Sequence, residues 1–293
     1  MCDSESDSSR QQSRRRQGGA DKLILVAWWK RRGNGPPFKK VAPLINLSHT
    51  LSALMRQLIE RIEKRFDPLK RSRQTFWYLA HRFGMWDRKF AERYILQSKV
   101  RKLHLGCGWN LLPGWLNVDY IPERRGALYL DARRSFFFKD ETFDYIFSEH
   151  MIEHMSYHHG LNMLGECYRI LKRHGKIRIA TPDLAFLIAL YSDDKSLLQR
   201  DYIEWANRTF FRDAPENNEV FVINNFMREW GHTFIYNENT LKTAMTTAGF
   251  ADIVKCELRQ SKDYALCNLE SLARIPIKFL ELETITLEGT KIK

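Results

Sequence analysis

A chain of 293 residues, 44% hydrophobic and 28% charged, carries enough apolar side chain for a full core, which excludes a wholly disordered polymer. The net charge of +12 resides in residues 1–98, while residues 99–293 balance their acidic and basic side chains. Nucleic acid is therefore a less expected substrate, because enzymes acting on it spread positive charge around the cleft.

The five cysteines (Cys2, Cys107, Cys167, Cys256 and Cys267) show no CxxC pair and no zinc spacing. This points to free thiols in a reducing compartment. No segment reaches the length of a membrane span, and the short apolar run Leu23–Trp29 lacks a following cleavage site. The expected location is cytoplasmic.

Residues 1–43 read as a disordered basic tail and linker, rich in Ser, Gln, Arg and Gly. Residues 44–98 read as an amphipathic helical extension. Leu44, Leu47, Leu51, Leu54, Leu58, Ile62 and Phe66 recur every three or four positions, and Phe76, Trp77, Phe83, Trp86, Phe90 and Tyr94 continue the theme. A basic, aromatic-rich surface of this kind suits an anionic membrane, to which the protein would then be peripheral. The plainer alternative is docking on its own domain or on a second subunit.

From residue 99 strands alternate with helices, which predicts an α/β domain with a mostly parallel sheet. Strands are expected near 101–105, 115–119, 127–130, 143–148, 176–180, 251–258 and 283–290, and helices near 159–172, 183–191 and 238–248. The aromatic- and Asn-rich stretch 192–235 breaks the rhythm and reads as an insertion within the domain 99–293.

The strongest motif is Lys102-Leu-His-Leu-Gly-Cys-Gly108, followed by Trp115-Leu-Asn-Val-Asp119. Small residues after a strand let backbone approach a ligand closely, and an acid ending the next strand suits a pair of ribose hydroxyls. Leu111 stands where a dinucleotide-binding motif would place its last glycine, which disfavours a dinucleotide enzyme.

Together these residues resemble the class I S-adenosylmethionine-dependent methyltransferases. The likeness is to a bacterial branch marked by Leu-Gly-Cys-Gly, Gly-Trp-x-Asn-x-Asp, Phe-Asp, Glu-His and Pro-Asp. Phe143-Asp144, Glu153-His154, Tyr168-Arg-Ile-Leu-Lys172, Gly175, Thr181-Pro-Asp183, Trp230-Gly-His232 and Ala248-Gly-Phe250 continue it in the right order. The resemblance implies a Rossmann-like seven-stranded sheet with helices on both faces, and S-adenosylmethionine as cofactor. Gly106, Cys107 and Gly108 would line its methionine part. Asp119 would hold the ribose and Tyr120 would lie beside the adenine. Asp131 and Ala132 would border the adenine amino group, and Ser148 and Glu149 would close the site near the sulfonium. Two features depart from the wider pattern: Asn110 replaces a glycine, and Arg173-His174-Gly175 replaces a Pro-Gly-Gly turn.

Ser148-Glu-His-Met-Ile-Glu-His154 reads as a helical start in which Glu149 pairs with Glu153, and His150 with His154, on one face. Three roles stand open: a general base (His150 first, His154 second), a metal site, or structural pairing. With only two histidine ligands at hand, no metal is assigned. His232 could meet substrate or sit in the core, His104 reads as a core histidine, and the aromatics of 192–235 read as packing. The expected reaction is methyl transfer to an acceptor oxygen on a small molecule or glycan, a sugar hydroxyl by analogy with the branch. The alternatives are a nucleic-acid methyltransferase using the basic arm and a non-catalytic module with the same fold.

Overall fold

The structure, a computed structural model, describes residues 85–122, 124–211 and 216–293. The predicted tail and most of the predicted extension lie outside the described residues. The extension's last part is helix α1 (Met85–Gln97).

Seven strands form one sheet: β1 (Lys102–Leu105), β2 (Leu116–Asp119), β3 (Ala127–Tyr129), β4 (Phe143–Glu149), β5 (Leu171–Pro182), β6 (Ala251–Lys255) and β7 (Thr284–Thr290). Their order is β3-β2-β1-β4-β5-β7-β6. The first five pair in parallel, and β7 runs antiparallel between β5 and β6. The central strands carry apolar runs buried on both faces, as a parallel sheet demands: Leu103, Leu105, Phe143, Ile146 and Phe147 are fully enclosed.

Parallel neighbours are usually linked through a helix. Here residues 106–115 and 120–126 connect β1 to β2 and β2 to β3 with no helix among the described residues. Helix α1 contributes to the cover instead. Ala91, Tyr94 and Ile95 pack into the main core, and the Tyr94 hydroxyl accepts the Lys102 N–H at 2.9 Å. Asp87 accepts the Tyr129 N–H at 3.1 Å. Phe90, by contrast, points outward.

The remaining helices are α2 (Tyr157–Ile170), α3 (Leu184–Ala189), α4 (Leu197–Phe210), α5 (Glu219–Arg228), α6 (Glu238–Thr247) and α7 (Ile277–Glu283). Side-chain caps start most of them. Ser156 caps α2, Asn237 caps α6, and Ser196 with Gln199 forms a capping box on α4. The stretch 192–235 is thus largely helical. Phe226 is buried in a second core with α3 and α7, against which Trp205, Phe210 and Trp230 pack.

One buried polar cluster ties the segment after β6 to the sheet. Arg178 on β5 is 0% exposed and donates to Glu270 and Glu288, both at 2.6 Å, and to the Gln260 carbonyl at 2.8 Å. Arg259 N–H donates to the other Glu270 oxygen at 3.0 Å. No helix among the described residues is long and apolar enough to cross a membrane.

Candidate active site

The turn after β1 is built on two left-handed glycines. Gly106 has φ +67, and a Cβ there would lie 2.3 Å from Met151 Cγ, so no side chain fits. Gly108 has φ +48 and open space where its side chain would be. Its N–H donates to Asp119 Oδ2 at 2.8 Å, while Asp119 Oδ1 accepts the Ile121 N–H at 2.8 Å. Each carboxylate oxygen accepts more than one hydrogen bond, so capacity remains for a diol. Burial raises the Asp119 carboxyl above its ordinary value, against those two N–H groups and the nearby charge of His154. Cys107 is a buried free thiol, pushed up to about 12 by burial and by Asp119, which makes it lining rather than nucleophile.

The motif residue Asn117, given no role in the sequence reading, holds this loop. Its Oδ1 accepts the Leu112 N–H at 2.9 Å and faces His104 Nδ1 at 3.1 Å, and its amide donates to the Leu112 carbonyl at 3.1 Å. His104 is a buried core histidine, lowered to about 4 by burial. Asn110, in place of a glycine, donates to the Leu269 carbonyl at 3.3 Å and so joins the loop to the segment after β6.

At the ends of β2 and β3, Tyr120 is partly exposed and lies 5.9 Å from the Tyr129 ring. The Arg133 guanidinium sits 4.7 Å over the Tyr120 ring and clasps both oxygens of Asp131, at 2.7 and 2.9 Å. Asp131 therefore spends much of its acceptor capacity on Arg133. Ala132 packs against the main core.

The segment 148–154 differs from the expected helical start. Glu149 is the last residue of β4, His150 is left-handed at φ +46, and only Ile152–His154 makes a 3-10 turn. The Glu149–Glu153 and His150–His154 pairs share no helical face; a strand end and a reversed residue turn them apart. Ser148 is buried, and its hydroxyl has no hydrogen-bond partner.

Glu149 accepts the Ser271 N–H at 3.0 Å. Burial lifts its carboxyl to about 7, helped by Glu270 and opposed by Arg274, Ser271 and Asn110. A carboxyl raised in the folded state stabilises fully only below its unfolded value, and that contribution fades as pH climbs through about 7. Glu149→Gln is therefore expected to gain stability relative to the parent between pH 5 and pH 8, by about 2–3 kcal/mol. Urea unfolding at the two pH values measures this; a difference that does not change with pH would refute it.

His150 is buried, with Nδ1 3.4 Å from Glu153 Oε1 and Nε2 3.5 Å from the Thr284 hydroxyl. Burial, and after it the charge of Arg274, lowers it to about 4. Glu153 is fully buried and accepts the Thr181 hydroxyl at 3.0 Å. Burial would raise its carboxyl, but His150 and the two other histidines outweigh that and hold it at about 2. His154 is half-buried and lies 3.9 Å from Glu153.

The third histidine is His232, whose placement sequence reasoning left undecided. Thr233 and Phe234 donate their N–H groups to the Glu153 carbonyl at 2.7 and 3.1 Å. Trp230 and Gly231, both at positive φ, turn the chain just before. The His154 and His232 rings stand 5.0 Å apart. Trp230-Gly-His232 was the available signal, but its partner lies far away in sequence.

A parallel sheet with one antiparallel strand, a glycine turn after β1 and an acid ending β2 define a Rossmann-like cofactor-binding domain. Residues 103–179 match the family described as a methyltransferase domain. Among solved structures the chain is similar to a methyltransferase of Thermotoga maritima, described as a possible histamine N-methyltransferase. The identity is 19%, covering 79% of this chain and 99% of that one, with a TM-score of 0.36. It is also similar to an S-adenosylmethionine-dependent methyltransferase of Archaeoglobus fulgidus, at 16% identity over 80% and 99% of the two chains, TM-score 0.38. A third is phosphoethanolamine N-methyltransferase 2 of Haemonchus contortus in complex with S-adenosyl-L-methionine, at 16% identity over 72% and 53%, TM-score 0.35. Likenesses this loose carry no argument about substrate. No curated protein matches the chain significantly. The match places a methyltransferase domain on β1 to β5 of this fold.

S-adenosylmethionine fits the residues present. The open space beside Gly108 admits a ligand against backbone, and Asp119 keeps acceptor capacity for the ribose. When bound, the cofactor supplies a methyl group already activated on its sulfonium.

Proposed function

We propose that the enzyme transfers the methyl group to an oxygen of a small-molecule or glycan acceptor, with a sugar hydroxyl as the expected class. The observation that carries this reading is the Glu153–His154–His232 cluster, whose His154 acts electrostatically on Asp119, the residue that holds the Gly108 N–H of the glycine turn. A hydroxyl is a weak nucleophile until its proton is withdrawn, and this cluster offers the groups for that. Of the two candidate bases, His154 is the accessible one, its side chain 30% exposed. His150, enclosed between Glu153 and Thr284, acts through Glu153. The balanced charge of residues 99–293 supports a neutral acceptor over nucleic acid. The basic residues 1–98 suit an anionic membrane surface as the place where the acceptor is met.

Incubation with methyl-labelled S-adenosylmethionine and separate pools of nucleotide sugars, glycans, amines and RNA tests the reading. Label is expected as a methyl ether on a sugar. His154→Ala should slow that turnover by about 10²–10⁴-fold, the usual worth of positioned proton transfer, while keeping cofactor affinity. Label found only on amines or RNA would overturn the acceptor class.

A further inference from the structure

We propose that Glu153, His154 and His232 bind a first-row divalent metal ion, of the zinc or manganese kind. One ligand atom from each lies within 4.8 Å of the others. A tetrahedral ion with bonds of about 2.0–2.2 Å sets its ligands about 3.3–3.6 Å apart, so the side chains need to close by at most about 1.5 Å.

Both histidines are pre-set for ligation. His232 Nδ1 lies 2.8 Å from the Phe226 carbonyl, and His154 Nδ1 lies 3.3 Å from the Gly231 carbonyl. A carbonyl oxygen only accepts, so each Nδ1 carries the hydrogen and each Nε2 keeps a free lone pair. That outer hydrogen bond is what metal-bound histidines make. The Nε2 of His154 is the atom that faces Glu153 Oε1.

Glu153 supplies an independent sign. Its Oε2 is held by Thr181, but Oε1, in a side chain that is 0% exposed, makes only long charge contacts to His150 at 3.4 Å and His154 at 3.9 Å and accepts no hydrogen bond. His150 Nδ1, at 3.4 Å, does not meet hydrogen-bond geometry. A buried carboxylate oxygen left without a donor is rare, and an ion at this point would satisfy it.

Two nitrogens and one oxygen suit zinc, manganese, iron(II) or cobalt better than the all-oxygen preference of calcium or magnesium. Three protein ligands leave a position open, as in catalytic rather than structural sites. The ion's role rests on the methyl-transfer reading; its binding does not. With the ion bound, His154 would serve as a ligand and not as the base: at the open position the acceptor hydroxyl would coordinate through oxygen, made acidic by the ion, and lose its proton to water. That oxygen's electron pair would form the new bond to the methyl carbon, while the carbon–sulfur bond breaks and its pair stays on sulfur.

The test uses the full chain, stripped with a chelator and titrated by calorimetry with Zn²⁺ and Mn²⁺. One ion per chain is expected. His154→Gln and His232→Gln should each weaken binding by more than the roughly 10–100-fold that loss of an outer partner costs. His158→Gln, an exposed histidine outside the cluster, should change nothing. Glu153→Gln should behave like the other two, and His154→Gln, at a half-buried position, carries the test if that variant fails to fold. No stoichiometric ion in the parent, or equal affinity in the His154 and His232 variants, would overturn the site. Parallel titration with S-adenosylmethionine separates the two readings. Cofactor binding without an ion defeats only the metal site, and an ion without cofactor binding defeats only the methyl-transfer reading.

Discussion

Arg178→Met is expected to lower the unfolding free energy by about 3–5 kcal/mol, because it strands two buried carboxylates. Arg178 stands on β5 with its side chain fully enclosed, and it alone donates to both Glu270 and Glu288. Burial opposes its charge, yet the two glutamates outweigh that and raise its pKa. The Arg259 N–H and the Ser261 hydroxyl, at 3.0 Å from Glu270 and Glu288 respectively, cannot neutralise either charge. Urea unfolding gives the loss directly. Adding Glu270→Gln and Glu288→Gln to the Met variant should recover part of it, since the uncompensated charges then disappear. A loss below about 1 kcal/mol, the worth of an exposed pair, would show that the cluster is solvated. The damage should extend to the site, because the segment pinned by Arg178 also supplies Ser271 to Glu149 and Leu269 to Asn110.

Asp119→Ala is expected to weaken S-adenosylmethionine binding by about 1–3 kcal/mol, roughly 5–150-fold, through loss of charge-assisted hydrogen bonds. The carboxylate does two jobs. It fastens the Gly108 N–H and the Ile121 N–H, and it presents its remaining acceptor capacity to a diol. Asp119→Asn should fall between, since one amide oxygen survives while its NH₂ group faces an N–H donor. Calorimetry with S-adenosylmethionine and S-adenosylhomocysteine should show the same order for both. Equal affinity in parent and Ala variant would remove the β1–β2 end as the cofactor site.

The expectations that held share a physical origin. Buried parallel strands need mostly apolar residues, so Leu103, Leu105, Phe143, Ile146 and Phe147 marked β1 and β4. Glycine at positive φ and an acid at a strand end are local requirements, and the structure shows Gly106 and Gly108 at positive φ with the Gly108 N–H on Asp119. The helices α4 and α5 were missed because apolar and aromatic residues crowd 197–228, although the Ser196–Gln199 capping box was there to be read.

The amino-acid order by itself determined the seven strands, the side-chain-free bend and its carboxylate, because those depend on neighbours within a few residues. Tertiary structure alone decided the rest of the site. Whether Glu149 and His150 began a helix turned on the way β4 ends against β5, where the His150 N–H donates to the Ala180 carbonyl. That His232 meets Glu153 and His154, and that Arg178 meets Glu270 and Glu288, depends on contacts spanning 77 to 110 residues of chain. Periodicity carries no signal over such separations; only the closed sheet brings those groups within reach.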